Sequence, residues 1–317
     1  MSKFKIRHFT KYTYEETVRD SANQIMLYPL KDPYQEVLQH QIIISGNPIV
    51  SVHRDYYGNE VGTFTHAHPH KELFIDSKLN VETAHRPVPE DTVDQETQWK
   101  EFENLKYQLE FIDFLKQEKF EFLPEVKKVL EEEQCKNCTP LQSAKDLCQY
   151  IYKNFSYQKG ITTVETTIDE IWKIRSGVCQ DFAHILLVML RLMNMPARYV
   201  SGYVCPSRDG MRGEGATHAW VEAYIPFYGW LGVDPTNNCI ANETHVRLAV
   251  GKNFSDCSPV KGTYRGTSDH TLEVTVKVSY EDGRSTEPEK ELIKPEKSTS
   301  FSKNSFRRYQ EMQMQQQ

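Results

Sequence analysis

The stretch Gly177-Val178-Cys179-Gln180-Asp181-Phe182, followed by Thr217-His218-Ala219-Trp220 and by Gly229-Trp230-Leu231-Gly232-Val233-Asp234-Pro235, decides the reading of this chain. Upstream, Thr167-Ile168-Asp169-Glu170 opens a helix, with a Thr that caps and a Glu three residues on that reaches back. The pattern ends that helix at Ser176-Gly177, because glycine tolerates the left-handed conformation of a helix end. A second helix begins at Cys179. Its body from Phe182 to Leu190 is apolar almost all round, the pattern of a buried helix, and Met195-Pro196 closes it. Cys179 therefore stands at a helix N-terminus. Unpaired backbone N–H groups and the positive dipole end favour a thiolate there and can hold an oxyanion. Taken alone, the segment fits a buried, inert cysteine equally well.

Residues His218 to Ile225 alternate as a strand, with His218, Trp220, Glu222 and Tyr224 on one face. Trp230, Gly232 and Asp234 share a face of the next strand, and Pro226-Phe227-Tyr228-Gly229 reads as the turn of an antiparallel hairpin. A turn centred on Pro226 sets His218 directly opposite Asp234, with Cβ atoms about 5 Å apart. A carboxylate in that position fixes the imidazole tautomer and leaves the second ring nitrogen free to take a thiol proton. Singly, a strand histidine is a structural residue and an Asp before Pro is a strand end. Their joint occurrence with Cys179 is what points to catalysis.

At these residues the chain resembles the transglutaminase-like superfamily of papain-type cysteine enzymes, and within it the bacterial branch with a β-rich N-terminal domain. The resemblance also runs through Phe155-Ser156-Tyr157, Arg175 to His184, Pro196 to Tyr203, Val250-Gly251-Lys252-Asn253-Phe254-Ser255-Asp256 and Ser258 to Gly262. It implies an α+β fold: a papain/transglutaminase-like core, with a helix-borne Cys packed on an antiparallel sheet, preceded by a small β-sandwich-like domain. It implies Cys179 as nucleophile, His218 as base and Asp234 as orienter, and acyl transfer through a thioester.

The remaining sequence sets the frame. A length of 317 residues suits two domains. The short alternating runs at 4–14 and 38–44, and the turn Asp55-Tyr56-Tyr57-Gly58-Asn59, predict a β-rich domain over 1–90. A core with a helical lead-in is expected over 91–282. Leu272, Val274, Val276 and Val278 mark a late strand within it. The charged, Ser- and Lys-containing segment 283–317 cannot bury a core and is expected to be disordered. A net charge of −6 gives no footprint for nucleic acid, and no apolar run is long enough to span a membrane. The first residues lack the apolar stretch of a signal peptide, which points to the cytoplasm. Seven scattered cysteines fit reduced thiols better than a disulfide framework.

Weaker constellations add little. Cys135-Lys136-Asn137-Cys138 has the spacing of half a zinc site, but no second pair follows at a suitable distance. His66, His68 and His70 read as surface histidines interrupted by Pro69. There is no EF-hand pattern, so neither metal nor cofactor is expected. Gln180, Tyr157, Trp172 and Trp220 are candidate substrate-binding residues. His184 is five positions past the thiol, a spacing that does not bring it back over Cys179, and reads as structural. The sequence thus predicts a cysteine hydrolase of peptide or isopeptide amides with a protein or peptide substrate. The alternatives are a transglutaminase, in which an amine resolves the thioester, and a non-catalytic peptide-binding protein.

Overall fold

The computed structural model describes residues 1–133, 138–163, 166–205, 211–266, 268–280, 285 and 289–293. Five strands come first: β1 (Ser2–Ile25), β2 (Gln35–Ile44), β3 (Ser51–Arg54), β4 (Glu60–His66) and β5 (His70–Thr83). Four helices follow: α1 (Gln95–Leu105), α2 (Leu109–Leu115), α3 (Leu123–Glu133) and α4 (Pro140–Asn154). Next come β6 (Ser156–Tyr157), α5 (Ile168–Ile174), β7 (Ser176–Gly177) and α6 (Cys179–Leu192). The strands β8 (Ala197–Val204), β9 (Thr217–Ile225), β10 (Gly229–Asp234), β11 (Cys239–Ile240) and β12 (His245–Gly251) complete the core sheet. The helix α7 (Phe254–Cys257) leads to β13 (Val260–Arg265), β14 (His270–Tyr280) and β15 (Glu289–Ile293).

Alternation in β1 turns Phe4, Ile6, His8 and Thr10 inward. The strand serves two sheets. Its first half lies between β14 and β5, and its second half between β13 and β4. The register slips between Thr13 and Val18 and again between Arg19 and Ala22. Such irregularities bend a strand, here from one sheet into the next. Residues 260–280, expected with the core, thus return to the N-terminal strands, because alternation identifies a strand without naming its partner. The tail expected to be disordered contributes β15, antiparallel to β14.

The core sheet has the order β11-β10-β9-β8-β12 and is antiparallel throughout. Ala219, Val221 and Ala223 of β9 share a core with Ile151 of α4 and with Phe182 and Leu186 of α6. Tyr203, Val246 and Leu248 pack instead with Ile25, Phe64 and Leu73 of the N-terminal strands. The sheet is therefore held between the helices and the N-terminal β structure. Asn59, fully buried in the β3–β4 turn, fastens the latter. Its Nδ2 donates to the Val250 carbonyl at 2.7 Å, and its Oδ1 accepts the Val250 N–H at 2.8 Å. One side chain thereby replaces a missing strand partner for β12.

The capping box at Thr167 and Glu170 forms as the sequence predicts. The left-handed residue that ends α5 is Arg175, with φ 51°, and not Gly177. Its guanidinium lies 3.5 Å from the Trp172 ring centre and 5.0 Å from that of Phe155, contacts that offset the strained backbone. Gly177 is extended and answers a different need: a Cβ there would stand 2.3 Å from Asp181 Oδ2. His68 is exposed, while His66 and His70 are half-buried and face each other across the β4–β5 turn with ring centres 4.2 Å apart. Among the described residues no helix is long and apolar enough to cross a membrane.

Asn59→Ala leaves the buried N–H and C=O of Val250 without partners. Each unsatisfied buried group costs about 1–3 kcal/mol, so the variant is expected to lower the denaturant midpoint without changing the slope. An unchanged midpoint would show that the Asn59 link contributes nothing to stability.

Candidate active site

Cys179 is the first residue of α6 and is half-buried. The backbone before it is fixed from two sides. β6 and β7 pair in parallel with Tyr157 beside Gly177, and the Gln158 N–H donates to the Gly177 carbonyl at 2.9 Å. Asp181, 2% exposed, reaches back one turn. Its Oδ2 accepts the Val178 N–H at 2.7 Å and the Thr162 hydroxyl at 2.7 Å. Burial raises the Asp181 pKa, while these two hydrogen bonds pull against that rise. The close fit of Asp181 on Gly177 sets the turn that presents the thiol.

The β9–β10 hairpin pairs Ile225 with Gly229 and Val221 with Val233. Its turn is centred on Phe227, at φ 66°, and not on Pro226. His218 and Asp234 are consequently diagonal and not directly opposed. A two-residue shift keeps every side chain on its face, and diagonal neighbours remain within reach. His218 Nε2–H donates to Asp234 Oδ2 at 2.8 Å, and both residues are buried.

Asp234 collects more donors than the sequence suggests. Oδ1 accepts the N–H groups of Thr236 at 2.9 Å and Asn237 at 3.3 Å. Oδ2 accepts Asn237 Nδ2–H at 2.7 Å and His245 Nε2–H at 3.2 Å, besides His218. The Asn242 N–H and the Thr244 hydroxyl point at His245 Nδ1, at 3.4 and 3.1 Å, so that nitrogen accepts and the proton sits on Nε2. The bonds from 236 and 237 are local and follow from Asp before a turn. His245 arrives from β12, distant in sequence, and no local signal marks it.

Burial alone would lower the His218 pKa, yet the Asp234 charge and hydrogen bond, aided by Cys179, carry it up to about 10. Burial opposes ionisation of Asp234 too, but His218 and His245 hold it well below the usual carboxylate range. His245 itself is pushed down by burial and stays neutral at pH 7. His218 Nδ1 is buried and has no hydrogen-bond partner. Gly213 lies against that atom at φ 84°: a Cβ there would stand 2.5 Å from Nδ1. The Asn237 side chain ties the loop carrying Gly213 to Asp234, bonding the backbone of Arg212 at both N–H and C=O.

Of the four candidate substrate residues, Gln180 follows Cys179 in α6 and Tyr157 pairs with Gly177, and both are half-buried. Trp172 is placed in the core instead, 1% exposed, with its indole N–H donated to Glu125 at 3.1 Å. A helix position preceding the thiol in sequence does not lead toward it in space. Trp220 is fully buried, with its ring stacked on His218 at 6.0 Å and its edge against His245 at 5.1 Å. It supports the two rings and presents no open surface at the thiol. His184 is structural, its Nε2 accepting the Phe254 N–H at 3.2 Å. Cys135 lies outside the described residues, so its pairing with Cys138 has no structural account; Cys148, Cys179, Cys205, Cys239 and Cys257 are free thiols. The ligand atoms of His218, Asp234 and His245 lie within 4.8 Å of one another. Hydrogen bonds of 2.8 and 3.2 Å join the three side chains.

A helix-borne cysteine beside a buried His–Asp pair on an antiparallel sheet defines the class of papain-type folds. The chain belongs to the transglutaminase-like superfamily. Residues 129–235 match the model of its core, and residues 4–82 match the bacterial transglutaminase-like N-terminal region. An uncharacterized protein of Mycobacterium leprae is 32% identical over 285 residues, covering 88% of this chain and 99% of its own. An uncharacterized protein of Mycobacterium tuberculosis is 30% identical over 297 residues, covering 87% and 92%. A protein-glutamine gamma-glutamyltransferase of Pseudomonas aeruginosa is 33% identical over 97 residues, which is 28% of this chain and 14% of that protein. Among solved structures, a protein of Cytophaga hutchinsonii provisionally described as a cysteine protease shares the fold. Its TM-score is 0.67 at 19% identity, over 94% of this chain and 92% of that one.

Gly213→Ala should push His218 off Asp234 while the sheet and helices stay folded, since the clash is confined to the ring. The expected result is a loss of at least tenfold in Cys179 alkylation at pH 7, with unchanged far-UV circular dichroism. Wild-type alkylation in this variant would mean that Gly213 does not position His218.

Proposed function

We propose that the protein is a cysteine-dependent acyl-transfer enzyme that hydrolyses amide bonds of peptide or isopeptide type. The observation that carries this reading is His218. One ring nitrogen is committed to a buried carboxylate, and the other carries no hydrogen bond that would block it, while the Cys179 side chain lies close enough to raise the ring's pKa. With Nε2–H fixed on Asp234, Nδ1 is the atom that takes the thiol proton. The resulting imidazolium is stabilised by the Asp234 charge.

In the first half-reaction Cys179 Sγ bonds to the amide carbonyl carbon, and the thiol proton rests on His218 Nδ1. The oxyanion is held by the first-turn N–H groups of α6 at Cys179 and Gln180, which have no acceptor one turn back. The Val178 N–H is not among them, because Asp181 takes it. As the C–N bond breaks, Nδ1 returns its proton to the departing amine and a thioester remains. Water then gives a proton to Nδ1 and its oxygen to the acyl carbon. The C–S bond breaks, Sγ regains the proton, and a carboxylic acid leaves. In this reading Tyr157 and Gln180 contact the acyl group.

Transfer to an amine differs only in the last acceptor. The local similarity to the gamma-glutamyltransferase supports it as a second reading. The two separate in one experiment. A peptide library is incubated with the protein, with and without cadaverine, and analysed by mass spectrometry. The first reading expects cleaved peptides or deamidated glutamines whose yield is insensitive to cadaverine; amine adducts as the main product would instead establish the transferase. Cys179→Ala and His218→Ala should each remove several orders of magnitude in rate, and the double variant should be hardly worse than either. Turnover that survives Cys179→Ala, or losses that add independently, would contradict the assignment.

A further inference from the structure

One oxygen of Asp234 has more donors than lone pairs. Oδ2 accepts His218 Nε2–H at 2.8 Å, Asn237 Nδ2–H at 2.7 Å and His245 Nε2–H at 3.2 Å. A carboxylate oxygen offers about two lone-pair sites, so the three donors compete, and His245 makes the longest contact. The two imidazoles therefore draw on one atom, with ring centres 6.2 Å apart. Electron density that one donor takes is withdrawn from the other.

His245 is fixed in this position. Its side chain is 2% exposed, and the Trp220 ring stands edge-on to it at 5.1 Å. The Asn242 N–H and the Thr244 hydroxyl face its Nδ1, which keeps the ring proton on Nε2. Asn242 is held in turn from the N-terminal part of the chain. Its side chain accepts the Arg86 N–H at 2.8 Å and donates to the Arg86 carbonyl at 3.0 Å. Apart from Asp234 and His218, the charged groups around the ring are Glu243, Glu222, Arg247 and Arg86. Glu243 meets His85 at 3.1 Å, Glu222 pairs with Arg198 and Arg247, and Arg247 pairs again with Asp32. Burial pushes the His245 pKa down, so the ring meets Asp234 as a neutral donor.

Asp234 does not need His245 for its orientation. Oδ1 is held by the N–H groups of Thr236 and Asn237, and Oδ2 by the Asn237 amide. Loss of the His245 donor thus acts on the charge of the carboxylate and leaves its placement alone.

We propose that His245 is a positioning residue of the thiol site. It takes a share of Asp234 Oδ2 that would otherwise go to His218, and so limits how firmly the carboxylate holds the His218 imidazolium. Under the acyl-transfer reading, on which the use of this limit rests, Nδ1 must first accept the thiol proton and then release it to the departing amine. A ring held too firmly as imidazolium favours the first step and slows the second.

The test is a ring-proton NMR titration of His218 in the Cys179→Ala protein, alone and combined with His245→Phe, His245→Asn or His245→Gln. Cys179→Ala removes a group that helps to raise the His218 pKa, which brings the titration to lower pH. Phenylalanine fills the space of the ring and cannot donate. Asparagine keeps an acceptor where Nδ1 stood but is too short to reach Asp234. Glutamine reaches Asp234 with an amide N–H. The expected result is a rise of about half a pH unit or more in the His218 midpoint with Phe and with Asn, the size that one hydrogen bond to a charged group supports. Gln should return the midpoint to that of the parent. A residue that only held the fold would act in the opposite sense, because a displaced Asp234 lets the ring lose its proton at lower pH. A fall or an unchanged midpoint with Phe or Asn overturns the proposal, and so does a Gln variant that shifts as Phe does. Phe and Asn make different packing demands, so either one decides the matter where the other fails to fold. The titration needs no turnover: failure of the acyl-transfer reading would show as a wild-type protein without activity and would leave the His245 result standing.

Discussion

The carboxylate of Asp234 is fully buried and ionised, and a charge in that position must be paid back by its neighbours. Left unpaired it would cost of the order of several kcal/mol. Five donors meet it: two backbone N–H groups of the turn, the Asn237 amide, His218 and His245. Because these come from the β9–β10 hairpin, the turn after it and β12, the demand of one carboxylate fixes three segments together. The Cys148 thiol of α4 adds a fourth by donating to the Asp234 carbonyl at 3.3 Å.

The N-terminal β structure belongs to the same account. Trp220 backs both imidazole rings and is itself closed in on the side facing the N-terminal strands, with Leu30 and Tyr57 against its cluster. Asn59 fastens the β3–β4 turn to Val250 of β12, five residues beyond His245. β1 spans both N-terminal sheets, and β13 and β14 return to it from the far end of the chain. Residues from both ends thus buttress the face of the sheet that carries His218 and Asp234.

How much of this the sequence discloses depends on how local each cause is. The capping box at Thr167, the opening of α6 at Cys179 and the face shared by His218 and Asp234 rest on local periodicity, and each could be read directly. The hairpin register is decided by turn conformation at Phe227, so the pairing came out two residues away while the faces were kept. Gly177 showed the need for a glycine, but the reason is a contact with Asp181 that depends on the folded turn. Trp172 could not be told from a cleft residue, because a helical stripe does not say which body it packs against. His245, Gly213 and Arg86 lie beyond local inference altogether, since each acquires its meaning from a segment distant in the chain.

The central claim is that Asp234 holds His218 as an imidazolium that partners the Cys179 thiolate. It is tested most directly by the ring-proton NMR titration of His218 in wild type and in Asp234→Asn, with the alkylation rate of Cys179 measured alongside. Asp234 raises the folded-state pKa of His218, so the wild-type ring should stay protonated until the pH climbs to about 10. Asparagine keeps the shape and removes the charge, so the ring should lose its proton at a lower pH and alkylation at neutral pH should slow. An unchanged His218 titration with unchanged alkylation in Asp234→Asn would contradict the account and reduce Asp234 to the end of a strand.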